Sequence, residues 1–240
     1  MIFKEQFTMQ LKDIGKENYI KNRAILEIFE NIGTHHSDLA GYGPNDIIRT
    51  GVSWVLLDWK VQVLKRPKYG QKLNVTTWGR TMKRTYTYRD FEMYDEENNL
   101  CVIGTSKWVL IDIKTGRISK ITEEIYEKYQ IEEKNVFNIE ELDKLKEPEE
   151  YSSEMEYKVC RRDIDLNGHM HNLYYLDLAY EVLPEKVYKQ RPFDNFRIQY
   201  KKEVKLGDVV KCRYTFKDGE HIVSIFNSDG SRVHAIIVLK

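Results

Sequence analysis

The sequence is poor in the features that mark several large protein classes. Lysine plus arginine and aspartate plus glutamate number 38 each over 240 residues, so the formal net charge is zero. No global field recruits nucleic acid or an anionic membrane, and a charged partner has to meet a local patch. No apolar run is long enough to span a bilayer, and the start, M-I-F-K-E-Q-F-T-M-Q, lacks an apolar stretch of signal-peptide length. Three cysteines (Cys101, Cys160 and Cys212) are an odd, scattered set without C-x-x-C spacing. That argues against a disulfide framework or a zinc site, and for a reducing compartment, the cytoplasm. The glycines of G-Y-G-P-N-D (Gly41 to Asp46) are too few, and wrongly flanked, for a phosphate loop.

What is present is core material: 41% hydrophobic and 12% aromatic residues, 16 of them tyrosines, in a chain long enough for one large domain or two small ones. The chain also repeats itself. W-K-V-Q-V-L-K-R-P-K-Y-G-Q-K (Trp59 to Lys72) aligns without a gap on F-R-I-Q-Y-K-K-E-V-K-L-G-D-V (Phe196 to Val209). Gln62 falls on Gln199, Lys65 on Lys202, Lys68 on Lys205 and Gly70 on Gly207. Each copy reads as an alternating strand, a glycine turn and a second strand, L-N-V-T-T-W or V-V-K-C-R-Y-T-F.

Ahead of the first copy lies a helical run with Ile25, Phe29 and Ile32 on one stripe and Gly33 as its stop. Ahead of the second, H-N-L-Y-Y-L-D-L-A-Y-E-V-L-P carries Leu173, Leu176, Tyr180 and Leu183 on one stripe and ends at Pro184. After each strand pair, turn signals join further strands: Asn98-Asn99 and Thr115-Gly116, then Asp218-Gly219 and Asp229-Gly230. The second helix is apolar nearly all round, so it has to be covered on most sides. A curved antiparallel sheet wrapped around a central helix does that. The expected fold is therefore α+β, a tandem (double) hotdog.

The expected boundaries are an N-terminal hotdog over 1–137, a linker over 138–154 and a C-terminal hotdog over 155–240. The linker is acidic, holds Pro148 and a serine pair, and leaves room for one exposed helical turn. Before it, T-E-E-I-Y-E-K-Y predicts a short helix capped by Thr122.

The halves differ in chemistry. D-I-D-L-N-G-H-M-H-N precedes the second helix, D-I-G-K-E-N the first, and Glu203 falls on Arg66. One copy carries reactive groups and the other does not. Asp165, Asn167 and His169 alternate by two, so an extended lead-in would project them to one side, near the unpaired N–H groups of a helix start. His169 and His171 form H-x-H, but no third ligand sits at a recognisable spacing, and no metal is expected. Asn172, Glu181 and Cys160 read as structural, Glu181 through a buried hydrogen bond. His35-His36-Ser37-Asp38 reads as a polar loop after the first helix.

D-I-D-L-N-G-H-M-H-N-L-Y-Y-L-D-L-A-Y-E resembles the motif D-x-N-x-H-x-N-N-x-x-Y of the acyl-acyl-carrier-protein thioesterases. The resemblance extends to Y-G-Q-K-L-N-V-T-T-W, to T-S-K-W-V-L-I-D-I-K-T-G-R-I-S-K-I and to Y-K-K-E-V, in family order over most of the chain. It implies a double hotdog that releases free fatty acid of medium or long chain from acyl carrier protein, without a cofactor. It matches Asp165, Asn167, His169 and Glu203 to the family's active-site residues. Where plant members carry a cysteine after this glutamate, Val204 stands here, which excludes an acyl-cysteine route through that position. Water attack assisted by Glu203 and His169 remains, with either group as the proton acceptor. Such a fold would line its acyl pocket from the first repeat, around Ile25, Phe29, Trp54, Leu56 and Trp78.

The carrier is acidic, and three basic clusters are candidates to dock it: Lys65 to Lys68, Met82 to Arg84, and Lys186 with Lys189 and Arg191. Acyl-CoA is the alternative substrate. A non-hydrolytic hotdog is disfavoured, because His169 lacks the dehydratase setting and no residues remain for a DNA-binding helix pair. Monomer and homodimer both stand.

Overall fold

The alternation in F-K-E-Q-F-T and S-E-M-E-Y-K is short and rich in charge, yet both stretches are strands. They open the two units, Met1–Leu142 and Asp143–Lys240, into which the chain divides. The computed structural model describes residues 1–190 and 192–240; Arg191 of the third basic cluster lies outside the described residues.

In unit 1, β1 (Phe3–Thr8) precedes helix α1 (Asn22–Leu39) and the short α2 (Ile47–Thr50). Strands β2 (Val52–Val63), β3 (Lys72–Met82), β4 (Tyr86–Tyr94) and β5 (Leu100–Asp112) follow, then α3 (Glu123–Tyr129). The five strands form an antiparallel sheet in the order β1-β3-β4-β5-β2. Unit 2 repeats the plan with β6 (Ser153–Lys158), helices α4 (Asn172–Glu181) and α5 (Glu185–Tyr188), and β7 (Asn195–Tyr200), β8 (Val209–Lys217), β9 (Glu220–Asn227) and β10 (Val233–Leu239). Its sheet runs β7-β10-β9-β8-β6, again antiparallel.

Helix α1 buries Ile25, Leu26, Phe29 and Ile32 completely. Phe29 stacks on Phe91 at 4.6 Å and on Trp59 at 6.1 Å between ring centroids. A Cβ on Gly104 would lie 2.6 Å from the Phe29 ring, so glycine is the residue that lets helix and sheet meet there. Gly33 does not stop α1. It is buried mid-helix, where a Cβ would stand 3.4 Å from the Arg89 side chain, and the helix runs six residues further to Leu39.

His35, His36 and Ser37 are therefore helical rather than a loop. The His36 ring, fully buried, stacks on Phe3 at 5.6 Å, and its Nδ1 lies 2.8 Å from Arg89 Nη1. Burial, then the Arg89 charge, push the His36 pKa down to about 3.

The Asp218-Gly219 signal sits where expected, in the β8–β9 hairpin with both residues at positive φ. Thr122 caps α3 by accepting the Ile125 N–H at 3.4 Å. The acidic stretch after α3 holds no helical turn. Its first part covers the outer face of the unit 1 sheet: Val136 N donates to Asp90 at 3.0 Å, Arg80 Nη1 to the Ile139 carbonyl at 2.9 Å, and Leu142 N to the Tyr88 hydroxyl at 3.0 Å. Ser153 and Glu154, at the end of the expected linker, are already strand β6.

Candidate active site

The lead-in to α4 is a knot of tight turns, not an extended strand. Buried Asp163 accepts from Cys160 N and from the Tyr157 hydroxyl, each at 2.7 Å. Asp165 Oδ1 accepts the Asn167 N–H at 2.8 Å and the His169 N–H at 3.1 Å, and Gly168 takes φ +77° to close the turn. Asp165 thus shapes the loop, while Asn167 stands exposed at its tip. His171 caps α4, its Nδ1 accepting the Leu173 N–H at 3.3 Å, and Tyr174 N donates to the His171 carbonyl at 3.0 Å. Two helix-start donors expected to face a substrate are therefore already used.

What the structure brings together is His169 and Glu203. Ile164 bridges Met170, Met170 N donates to the Val204 carbonyl at 2.8 Å, and His169 bridges Lys205. These short antiparallel pairings lay the His169 segment against the Glu203 segment. The Glu203 carboxylate pairs with Lys202 at 2.7 Å. That hydrogen bond foremost, with the charges of Lys202 and His169 adding to it, holds the Glu203 pKa below its ordinary value. Glu203 is a carboxylate at neutral pH, half-open to solvent.

Unit 1 has the same knot without the chemistry. Asp13 Oδ2 accepts from Gln10 N at 2.9 Å, Ile14 bridges Ile20, Tyr19 bridges Lys68, and Ile20 N donates to the Pro67 carbonyl at 3.0 Å. Tyr19 stands where unit 2 has His169, Gly15 where it has Asp165, and Arg66 where it has Glu203.

The residues expected to line an acyl pocket do not share one face. Ile25 and Phe29 on α1 are buried against the inner face of the sheet. Leu56 and Trp54 on β2 face the same way. Trp54 joins Ala40, Leu110 and Tyr129, and its Nε1 donates to the Tyr129 hydroxyl at 2.9 Å. Trp78 pairs with Asp90 on the opposite face, where its Nε1 donates to the Lys134 carbonyl at 2.9 Å. Strand alternation puts it there, because neighbouring Thr77 pairs with inward-facing Phe91. An open groove of about 610 Å³ on that outer face, lined by Lys4, Gln6, Thr76, Glu92, Tyr94 and Lys134 among others, contains none of the five.

Other readings shift as well. Glu181 is exposed at the end of α4 rather than buried, and Cys160 is exposed rather than packed. Of the basic clusters, Lys65 pairs with Asp95 at 2.7 Å and Arg66 is spent on Ile20 and Asn22. Other exposed basic residues flank the two paired segments, Arg161 and Arg162 ahead of His169 and Lys201 and Lys205 on either side of Glu203, with Leu166 76% and Leu206 54% exposed.

Two helix-and-sheet units of one plan, the second carrying a histidine–glutamate pair, make this a tandem hotdog protein with one candidate active site. The chain belongs to the acyl-ACP thioesterase family: the family's N-terminal domain model matches residues 1–129 and its C-terminal domain model residues 146–236. Among solved structures, an acyl-ACP thioesterase from Bacteroides thetaiotaomicron superposes with a TM-score of 0.88 at 20% identity, over 99% of this chain and 96% of that one. The 12:0-ACP thioesterase from Umbellularia californica gives 0.85 at 19% identity, over 100% and 96%. Both likenesses show the fold. The chloroplastic oleoyl-acyl carrier protein thioesterase 1 of Arabidopsis thaliana is 23% identical over 225 residues, 87% of this chain. The chain spans only 62% of that relative's length.

Proposed function

We propose that this chain hydrolyses medium- or long-chain acyl-acyl-carrier-protein to free fatty acid and carrier protein. The observation that carries the reading is the pairing of the His169 and Glu203 segments in unit 2, with Glu203 ionised, against Tyr19 and Arg66 in the same knot of unit 1. A water molecule gives a proton to the Glu203–His169 pair, and its oxygen bonds to the thioester carbonyl carbon. The C–S bond then breaks and the departing thiolate takes the proton back. Asp165 holds the turn that presents His169, and Asn167 at its tip orients water or the oxyanion. In unit 1, Ile25, Phe29, Leu56 and Trp54 form the apolar wall for the chain; Trp78 is not part of that wall. Three free cysteines support a reducing compartment, which we take to be the cytoplasm.

Hydrolysis of a carrier-protein thioester series of increasing acyl length tests the reading, with the same acyl groups on CoA as the competing carrier. Glu203→Gln and His169→Ala should each lower turnover roughly a hundredfold or more. Near-normal turnover by both removes the pair from the mechanism, and preference for CoA at matched length replaces the carrier.

A further inference from the structure

Arg89 shares the inward face of β4 with Phe91, two residues on, and is only 7% exposed. Both of its hydrogen bonds leave from Nη1, to His36 Nδ1 at 2.8 Å and to Thr77 Oγ1 at 3.2 Å. The Tyr129 ring lies 5.7 Å from its Cζ. Among the described residues no carboxylate pairs with Arg89, and its Nε and Nη2 donate no hydrogen bond. An arginine donates only, so His36 Nδ1 accepts, and the neutral imidazole carries its proton on Nε2. That buried Nε2 has no partner either. The Tyr129 hydroxyl is already used: it accepts from Trp54 and donates to Ser37 Oγ at 3.0 Å, which donates to the Gly33 carbonyl at 3.1 Å. The groups left over are all donors, and their charge is positive.

The fold does not ask for this. Where unit 1 buries an arginine on the outer face of the same sheet, Arg80, it supplies a carboxylate, Asp90, at 3.2 Å. In unit 2 the repeat carries Gly79 onto Phe216, so strand register puts His221 in the place of Arg89. His221 Nδ1 meets the Tyr214 hydroxyl at 2.9 Å, and burial lowers its pKa, so no buried cation is needed there. A buried charge without a counter-ion costs stability, which makes Arg89 a candidate for binding rather than for packing.

Gly33 makes the room. A Cβ on it would stand 3.7 Å from Arg89 Nε and 3.8 Å from the Phe91 ring, and Phe29 lies one turn earlier on α1. The free Nε–Nη2 edge and the apolar wall thus meet at one glycine, kept inside a helix that glycine weakens. The parallel N–H groups of that edge match the two oxygens of a carboxylate, and the aromatic neighbours match a hydrocarbon chain. We propose that Arg89 and His36 form a binding site for the carboxylate of an aliphatic chain lying along the Phe29 face of α1. That carboxylate is either the far end of a carrier-bound acyl chain or the head of a free fatty acid. The site stands on its own geometry; only the first source rests on the function proposed above.

Decanoate and decanol share one chain length and differ in head group, so their dissociation constants from the full chain at pH 8 isolate the charge. Wild type should hold decanoate at least about tenfold more tightly than decanol, and Arg89→Met should bring the two within about twofold. The ligand-free melting temperature of Arg89→Met should match wild type within a few degrees or rise, because the unpaired charge is gone. Equal wild-type affinities overturn the proposal, whether or not the variant folds. So does a lowered melt with the preference for decanoate undiminished, the result a purely structural arginine would give. Carrier thioesters of decanoic acid and of the ten-carbon dicarboxylic acid separate the sources. A KM at least about tenfold lower for the diacid thioester assigns the site to the acyl chain. A KM no lower, with decanoate inhibiting decanoyl turnover in wild type and not in Arg89→Met, assigns it to the free acid. Active protein showing neither pattern overturns the proposal. If wild type hydrolyses neither thioester while its preference for decanoate holds, it is the functional reading that has failed.

Discussion

Glu203 stands in unit 2 where Arg66 stands in unit 1. The Arg66 guanidinium closes its own helix start through Ile20 and Asn22, whereas the Glu203 carboxylate is left open beside His169 and Lys202. The same backbone knot thus serves as a structural tie in one copy and carries the proposed site in the other. Glu203→Arg should accordingly fold, because the knot already accommodates arginine, with a melting temperature within a few degrees of wild type. Its hydrolysis should drop at least about a hundredfold. Loss of folding, or turnover near wild type, would each contradict this.

Lys202 pulls the Glu203 pKa down, so Glu203 becomes protonated only below the ordinary glutamate range. Activity limited by Glu203 should persist through mildly acid pH and fall below it. Lys202→Ala removes the hydrogen bond and charge that hold the carboxylate down and should move that limb upward, which a kcat profile read against pH would register.

His36 contributes a pH-dependent stability of known sign. Its folded pKa is about 3 and its ordinary value 6.5, so between the two the unfolded chain binds more protons than the folded one. Stability from this group is full above pH 6.5 and declines as pH falls, by up to about 1.4 kcal/mol per pH unit. Urea unfolding at pH 7, 6, 5 and 4 should show a shallower decline for His36→Gln than for wild type. Equal slopes would place the titration elsewhere.

Phe29 and Gly104 meet so closely that a methyl group has no room, the added Cβ falling 2.6 Å from the ring. Gly104→Ala should destabilise the chain by about 1–3 kcal/mol, and Phe29→Leu in the same chain should recover part of it. Phe29→Ala alone should also shift the acyl-length profile, since Phe29 is part of the proposed wall. Trp78→Phe, on the opposite face, should leave the profile where it was.

Exposed Arg161, Arg162, Lys201 and Lys205, with exposed Leu166 and Leu206, are the rim we propose to dock an acidic carrier. Arg161→Glu with Leu206→Ser should raise KM about tenfold for the carrier-bound substrate, and leave KM for the same acyl group on pantetheine within about twofold. Cys160 offers an independent check, being the exposed one of the three cysteines. A bulky maleimide there should block the carrier substrate while sparing the pantetheine one; equal effects on both would dissociate the rim from docking.

Much of the architecture was legible before any coordinates. The gapless match of Trp59 to Lys72 with Phe196 to Val209 predicts two copies of one plan, and the bridges from Tyr19 and His169 end on Lys68 and Lys205, a matched pair of that alignment. Strands β1 and β6 are not legible in the sequence, because each is only six residues long and alternates with charge, as edge strands do. Gly33 looked like a helix stop because glycine is common there, but close approach to Arg89 decides its place.

Periodicity and order along the chain determine the repeat, the helices, the hairpins and the residue types at the site, since each depends on neighbours a few positions away. Tertiary structure alone decides that Asp165 is a turn acceptor, that Trp78 faces away from Phe29, and that the His169 segment pairs with the Glu203 segment. Those outcomes turn on which way a backbone bends and which face a strand presents. Segments distant in the chain settle both when they compete for the same buried hydrogen bonds and the same apolar interior.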